Sequence, residues 1–84
     1  MKELFWYKTC PFCNQGRLFL YKNLDKNSLY LHCEECERGY NNLNKVEKDN
    51  SFLTLTEDFE AIEATTEDIR KFNLNENDFQ KVVE

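Results

Sequence analysis

The stretch that decides the fold is "CPFCNQGRLFLYKNLDKNSLYLHCEEC", residues 10–36. It opens and closes on a Cys-x-x-Cys pair, Cys10/Cys13 and Cys33/Cys36, with nineteen residues between them. A two-residue spacer folds the backbone into a tight turn that aims both sulfurs at one point. Two such turns supply the four thiolates of a tetrahedral metal site, and the gap suits zinc. Cys10, Cys13, Cys33 and Cys36 are therefore the expected ligands of one structural Zn2+. Asn14 follows the first pair directly, a residue that tolerates the left-handed backbone such turns need. A glycine stands three positions after the second cysteine of each pair, Gly16 and Gly39. Lys8, Arg17 and Arg38 are the nearby cations available to balance a site charge of about −2.

"CPFC" alone also reads as the dithiol of a thiol-disulfide oxidoreductase such as glutaredoxin. That fold needs a cis-proline facing the dithiol, and Pro11 is the only proline. It also needs a helix starting at the motif, whereas Gly16 and the strand-like "RLFLYK" follow. The second pair would be left unexplained. His32, beside Cys33, is expected to be an ordinary strand histidine, because adjacent strand residues point to opposite faces and four cysteines complete the shell.

Between the pairs, Arg17 to Lys22 and Ser28 to Cys33 mix large aliphatic and aromatic residues as strands do. The polar "NLDKN" between them reads as the turn of a β-hairpin. Both faces of that hairpin are apolar, so a cover for the second face is expected. "LFWYK" near the N-terminus and "SFLTLT" (51–56) are further strand candidates, joined by the polar connector "NNLNKVEKDN". In "ATTEDIRKF", Thr65 caps a helix with Asp68 three residues on, and Ile69 and Phe72 lie one turn apart. In "NENDFQKVV", Asn75 as cap and Phe79, Val82 and Val83 at i, i+3, i+4 spacing predict a second helix. "EDFEAIEA" (57–64) reads as either an extended connection or more helix. The expected fold class is small α+β: a β-hairpin and sheet that resembles a zinc ribbon, with two short C-terminal helices. Residues 1–46 form the ribbon, and residues 47–84 form an acidic strand-plus-helices extension packed on it as one domain.

Eighty-four residues bury a core worth only about 3–5 kcal/mol, so a staple such as a metal is expected. No stretch approaches the roughly 18 apolar residues of a membrane span. The N-terminus lacks the apolar segment of a signal peptide, so the expected compartment is the cytoplasm, where cysteines stay reduced. The formal charge of −5 is uneven. Residues 1–45 carry seven basic against five acidic residues, net +2, and residues 46–84 carry four against eleven, net −7.

The first forty or so residues resemble zinc ribbons, a hairpin-centred class with four cysteines on two knuckles. Through "KTCPFC", "GRLFLYK", "HCEEC" and "ATTEDI", the whole chain also resembles small bacterial cytoplasmic zinc-ribbon proteins, some of them immunity proteins of toxin loci. The resemblance implies zinc ligation at the four cysteines and offers no catalytic residues. The function expected is a non-catalytic, zinc-stabilised protein-interaction module whose acidic half attracts a basic protein partner, an immunity-type inhibitor being its most concrete form. The alternative is nucleic-acid binding by the ribbon, with Trp6, Tyr7, Phe12, Phe19, Tyr21, Tyr30 and Tyr40 stacking and Lys8, Arg17, Lys22 and Arg38 touching phosphates. Redox catalysis by the first dithiol is the distant third. An acidic segment, Glu76 to Val83, is a poor DNA-recognition helix, since phosphate attraction dominates affinity.

Overall fold

The computed structural model describes residues 3–43, 45–54 and 59–83. The hairpin forms as its sequence requires. β2 (Arg17–Asn23) and β3 (Ser28–Cys33) pair antiparallel from Leu18↔Cys33 to Asn23↔Ser28. At the tip, the buried Asn23 accepts from the backbone N–H groups of Asp25 and Lys26 at 3.0 and 3.1 Å. Asn27 takes the left-handed conformation that returns the chain, with φ 51°.

Around this hairpin the sheet grows in both directions. β1 (Glu3–Thr9) lies beside the first half of β2, with Trp6 opposite Phe19. β4 (Arg38–Tyr40) pairs with β3, and β5 (Ser51–Leu53) with β4. β6 (Ala61–Glu63) takes the second half of β2 on the edge that β1 leaves free, with Lys22 opposite Ile62. β7 (Gln80–Val83) closes the order β5-β4-β3-β2-β1-β7 by pairing with β1. The one α-helix among the described residues is α1 (Thr66–Lys71), set between β6 and β7.

The fold is therefore a small, mostly antiparallel seven-stranded sheet with one short helix, and this corrects the α+β expectation of two C-terminal helices. The first helix is present and its ends are fully specified. The Thr65 hydroxyl accepts from the Asp68 N–H, and the Asp68 carboxylate accepts from the Thr65 N–H and hydroxyl, the capping box read from sequence. At the other end Asn73 turns left-handed at φ 60°. Leu74 N–H then bonds Ile69 O, and Asn73 N–H bonds Arg70 O, a Schellman closure that stops the helix after six residues.

The second helix is absent. Asn75 caps only a single 3-10 turn, Glu76–Asp78, by accepting from the Asn77 N–H at 2.9 Å. The chain then extends, placing Val82 opposite Leu4 and Lys81 opposite Phe5. Helical spacing of Phe79, Val82 and Val83 lost to two effects: β-branched valines fit a pleated surface, and β1 offered an open edge whose backbone groups needed partners. "EDFEAIEA" contributes β6, while 57 and 58, like 55 and 56 of "SFLTLT", lie outside the described residues.

The two faces of the sheet have different fates. One carries Phe5, Leu18, Leu20, Leu29, Leu31 and Tyr40, sealed by Ala64 and by Ile69 of α1. Fully burying Ile69 alone stabilises by about 1.5–3 kcal/mol. The other face carries Phe19, Tyr21, Tyr30, His32 and Phe52, and Phe59, just before β6, stands edge-on to the Tyr30 ring at 5.5 Å. Phe59 thus helps to cover the hairpin's second face. Among the described residues no helix is long and apolar enough to cross a membrane.

Candidate metal centre

All four cysteines sit at one end of the sheet, because that is where the antiparallel strands bring their ends together. Cys10 follows the last residue of β1, and Cys33 is the last residue of β3. Cys13 and Cys36 lie in the turns that lead into β2 and β4. In the first turn the Asn14 N–H bonds Cys10 O at 2.9 Å and the Cys10 N–H bonds Gly16 O at 2.8 Å. The residue after each second cysteine is left-handed, Asn14 at φ 57° and Glu37 at φ 58°. The two knuckles are thus built alike. Sequence reading named the asparagine; a glutamate gives no such signal.

The four sulfurs lie within 4.8 Å of one another. The closest contacts run between the knuckles: Cys10 to Cys36 at 3.7 Å and Cys13 to Cys33 at 3.6 Å. Four bonds of about 2.3 Å to a tetrahedral zinc place sulfurs about 3.8 Å apart, so the cluster has the size of a metal shell. These spacings are far beyond the roughly 2.05 Å of a disulfide, and all four thiols are free. Each cysteine predicted as a ligand is in the cluster, and His32 is not. It lies against the Tyr21 ring, 5.3 Å between ring centroids. Burial lowers its pKa, and Glu37 partly offsets this.

Electrostatics make a cation the natural resident. Hydrogen bonds from the Gly16 and Gln15 N–H groups bring Cys13 down to about 6. Burial pushes Cys33 up to about 12 and Cys36 upward as well, against N–H donors that favour their thiolates. The Gly16 N–H reaches Cys13 Sγ at 3.4 Å, and the Glu35 and Cys36 N–H groups reach Cys33 Sγ at the same distance. The turns are therefore wired for thiolate, while burial penalises the negative charge at Cys33 and Cys36. A divalent ion resolves that conflict.

Tyr40 is the neighbour that sequence reading missed. Named there as a stacking aromatic, it is wholly buried, and its hydroxyl stands 3.2 Å from Cys10 Sγ. Burial, then the hydrogen bond with Cys10, raises its pKa and keeps the phenol protonated. Its role depends on the register Leu31↔Tyr40, which no local pattern announces.

The cations expected near the site or weighed for phosphate contact have partners of their own. The Arg17 side chain makes a two-point contact with Glu34, at 2.7 and 3.1 Å, and lies over the Phe19 ring. Arg38 stacks on Phe12 at 3.8 Å, and Lys22 pairs with Asp68 at 3.4 Å beneath the sheet. Lys8 lies over the Tyr7 ring. Of the aromatics weighed for base stacking, Phe19, Tyr30 and Tyr40 are buried. No protein-family model, curated protein or solved structure gives a significant match to the chain.

Proposed function

We propose that the chain is a zinc-stabilised, non-catalytic interaction module of zinc-ribbon type, built to bind a basic protein surface. The observation that carries the zinc assignment is the convergence of four cysteine sulfurs, from two knuckles, at the spacing of a tetrahedral shell. Four thiolates leave a zinc ion no open position for a substrate or water, so its contribution is to stability. Cys10, the thiol that a glutaredoxin-like reading would make the nucleophile, is wholly buried and held by Tyr40. That supports a ligand role over a redox one.

The partner's chemistry follows from charge. Residues 46–84 carry net −7, and among the described residues Arg70 is paired with Glu76 and Lys81 with Glu3. Glu60 and Glu67, flanking β6 and opening α1, are exposed. An excess of acidic charge favours fast, salt-sensitive docking to a basic partner. An inhibitor that masks the basic substrate face of a toxin is the most concrete form of this reading.

The test is affinity capture by the zinc-loaded chain at rising salt, beside its Glu60→Lys/Glu67→Lys variant. One near-stoichiometric basic protein, released by salt and lost in the variant, supports the proposal. Equal recovery by both chains, or capture only of nucleic acid, overturns it.

A further inference from the structure

We propose that Tyr40 is a positioning residue of the metal centre: its hydroxyl donates a hydrogen bond to Cys10 Sγ and so raises the affinity of the site for zinc. This rests on the zinc reading above. The donors already described for Cys13 and Cys33 are backbone N–H groups inside the knuckle turns, at 3.4 Å. They arrive with the Cys-x-x-Cys turn itself. Tyr40 comes from β4, outside both turns, and its oxygen approaches Cys10 Sγ to 3.2 Å.

The direction of that bond is set by chemistry. A metal-bound thiolate has no proton to give, so the phenol is the donor. A buried phenol needs an acceptor, and Cys10 Sγ fills that need. Neutralising part of a site charge of about −2 with a fixed dipole favours the loaded state. The same bond ties the metal to the sheet. β4 pairs with β3 through Leu31↔Tyr40 and His32↔Gly39, and β5 is held in turn by β4, so Tyr40 links metal occupancy to the order of that edge.

The experiment uses the full chain in three forms: wild type, Tyr40→Phe, and Tyr21→Phe as a control on the opposite face. Zinc affinity is read by competition with a chromophoric chelator. The site itself is read by cobalt(II) substitution, through the sulfur-to-metal charge-transfer band. Tyr40→Phe is expected to bind zinc about 10–100-fold more weakly and to shift that band, with Tyr21→Phe unchanged. A structural role for the ring alone would leave the band in place.

A second readout needs no variant. In the wild-type protein the Tyr40 hydroxyl proton is expected to exchange slowly enough to be seen by proton NMR, and to move when cadmium replaces zinc. Wild-type affinity and spectrum in Tyr40→Phe, or a hydroxyl proton that does not respond to the metal, overturns this inference alone. A wild-type chain that takes up no zinc overturns the zinc reading and this inference with it.

Discussion

Replacing Gly16 by alanine tests the metal centre at its tightest point. A Cβ built there falls 2.4 Å from Cys33 Sγ and 3.0 Å from both Cβ and Cγ of Glu35. Ordinary non-bonded contact lies at about 3.5–4.0 Å, so the sulfur must retreat by about 1 Å or more. Metal ligands tolerate about 0.2 Å. The turn has little freedom to yield instead, because Gly16 O receives the Cys10 N–H at 2.8 Å and Gly16 N–H serves Cys13 Sγ. Neither glycine has a positive φ, so the requirement is for space and not for backbone conformation. A structural zinc contributes roughly 10–16 kcal/mol. Weakening one of four ligands therefore costs about 3 kcal/mol, or roughly a 100-fold loss of zinc affinity.

Gly39→Ala is the matched comparison. Its Cβ meets the Phe52 ring at 2.5 and 2.7 Å and Thr54 Cγ2 at 3.0 Å, on the face away from the sulfurs. Overpacking there costs about 1–3 kcal/mol with the metal site intact. Chelator competition and the cobalt(II) spectrum measure the first effect, and thermal unfolding measures both. Wild-type zinc affinity in Gly16→Ala would refute the reasoning. So would an equal loss of affinity in Gly39→Ala, which would reduce the effect to general destabilisation.

Three further outcomes are expected. Asp68→Asn removes a carboxylate that receives Thr65 and Lys22, and is expected to cost about 1–2 kcal/mol at neutral pH in chemical denaturation. Burial opposes the charge on Asp68, yet those partners hold its pKa below the ordinary 3.8. Its stabilisation is therefore present above that value and fades as pH falls through the lower folded pKa, so the gap between variant and wild type should narrow in acid. Glu37→Asn relieves a left-handed glutamate at φ 58° and is expected to raise stability by about 1 kcal/mol, read as a higher unfolding midpoint. Cross-strand proton contacts between Leu4 and Val82 are expected in solution NMR, whereas a helical 76–83 would show sequential helical contacts instead.

Legibility in the sequence tracked how local each determinant was. The Cys-x-x-Cys pairs, the "NLDKN" turn and the Thr65–Asp68 cap are each decided within a few residues, and each formed. β4 and β6 are three-residue strands, too short to display an alternation, and they exist because a neighbouring strand had backbone groups to satisfy. β7 was misread for the same reason: over four residues a strand and a helix make nearly the same pattern, and the open edge of β1 decided between them. The site was legible as a cluster of four cysteines but not as an environment. Cysteine spacing points to four sulfurs at one place, while the Tyr40 hydroxyl reaches Cys10 only through the pairing of β3 with β4.

The most direct test of the central claim is native mass spectrometry of the freshly purified chain, combined with thiol alkylation before and after chelation. One zinc per chain is expected, with Cys10, Cys13, Cys33 and Cys36 all shielded from alkylation until the metal is removed. A folded chain that carries no metal, or whose cysteines alkylate freely while zinc is bound, would contradict it.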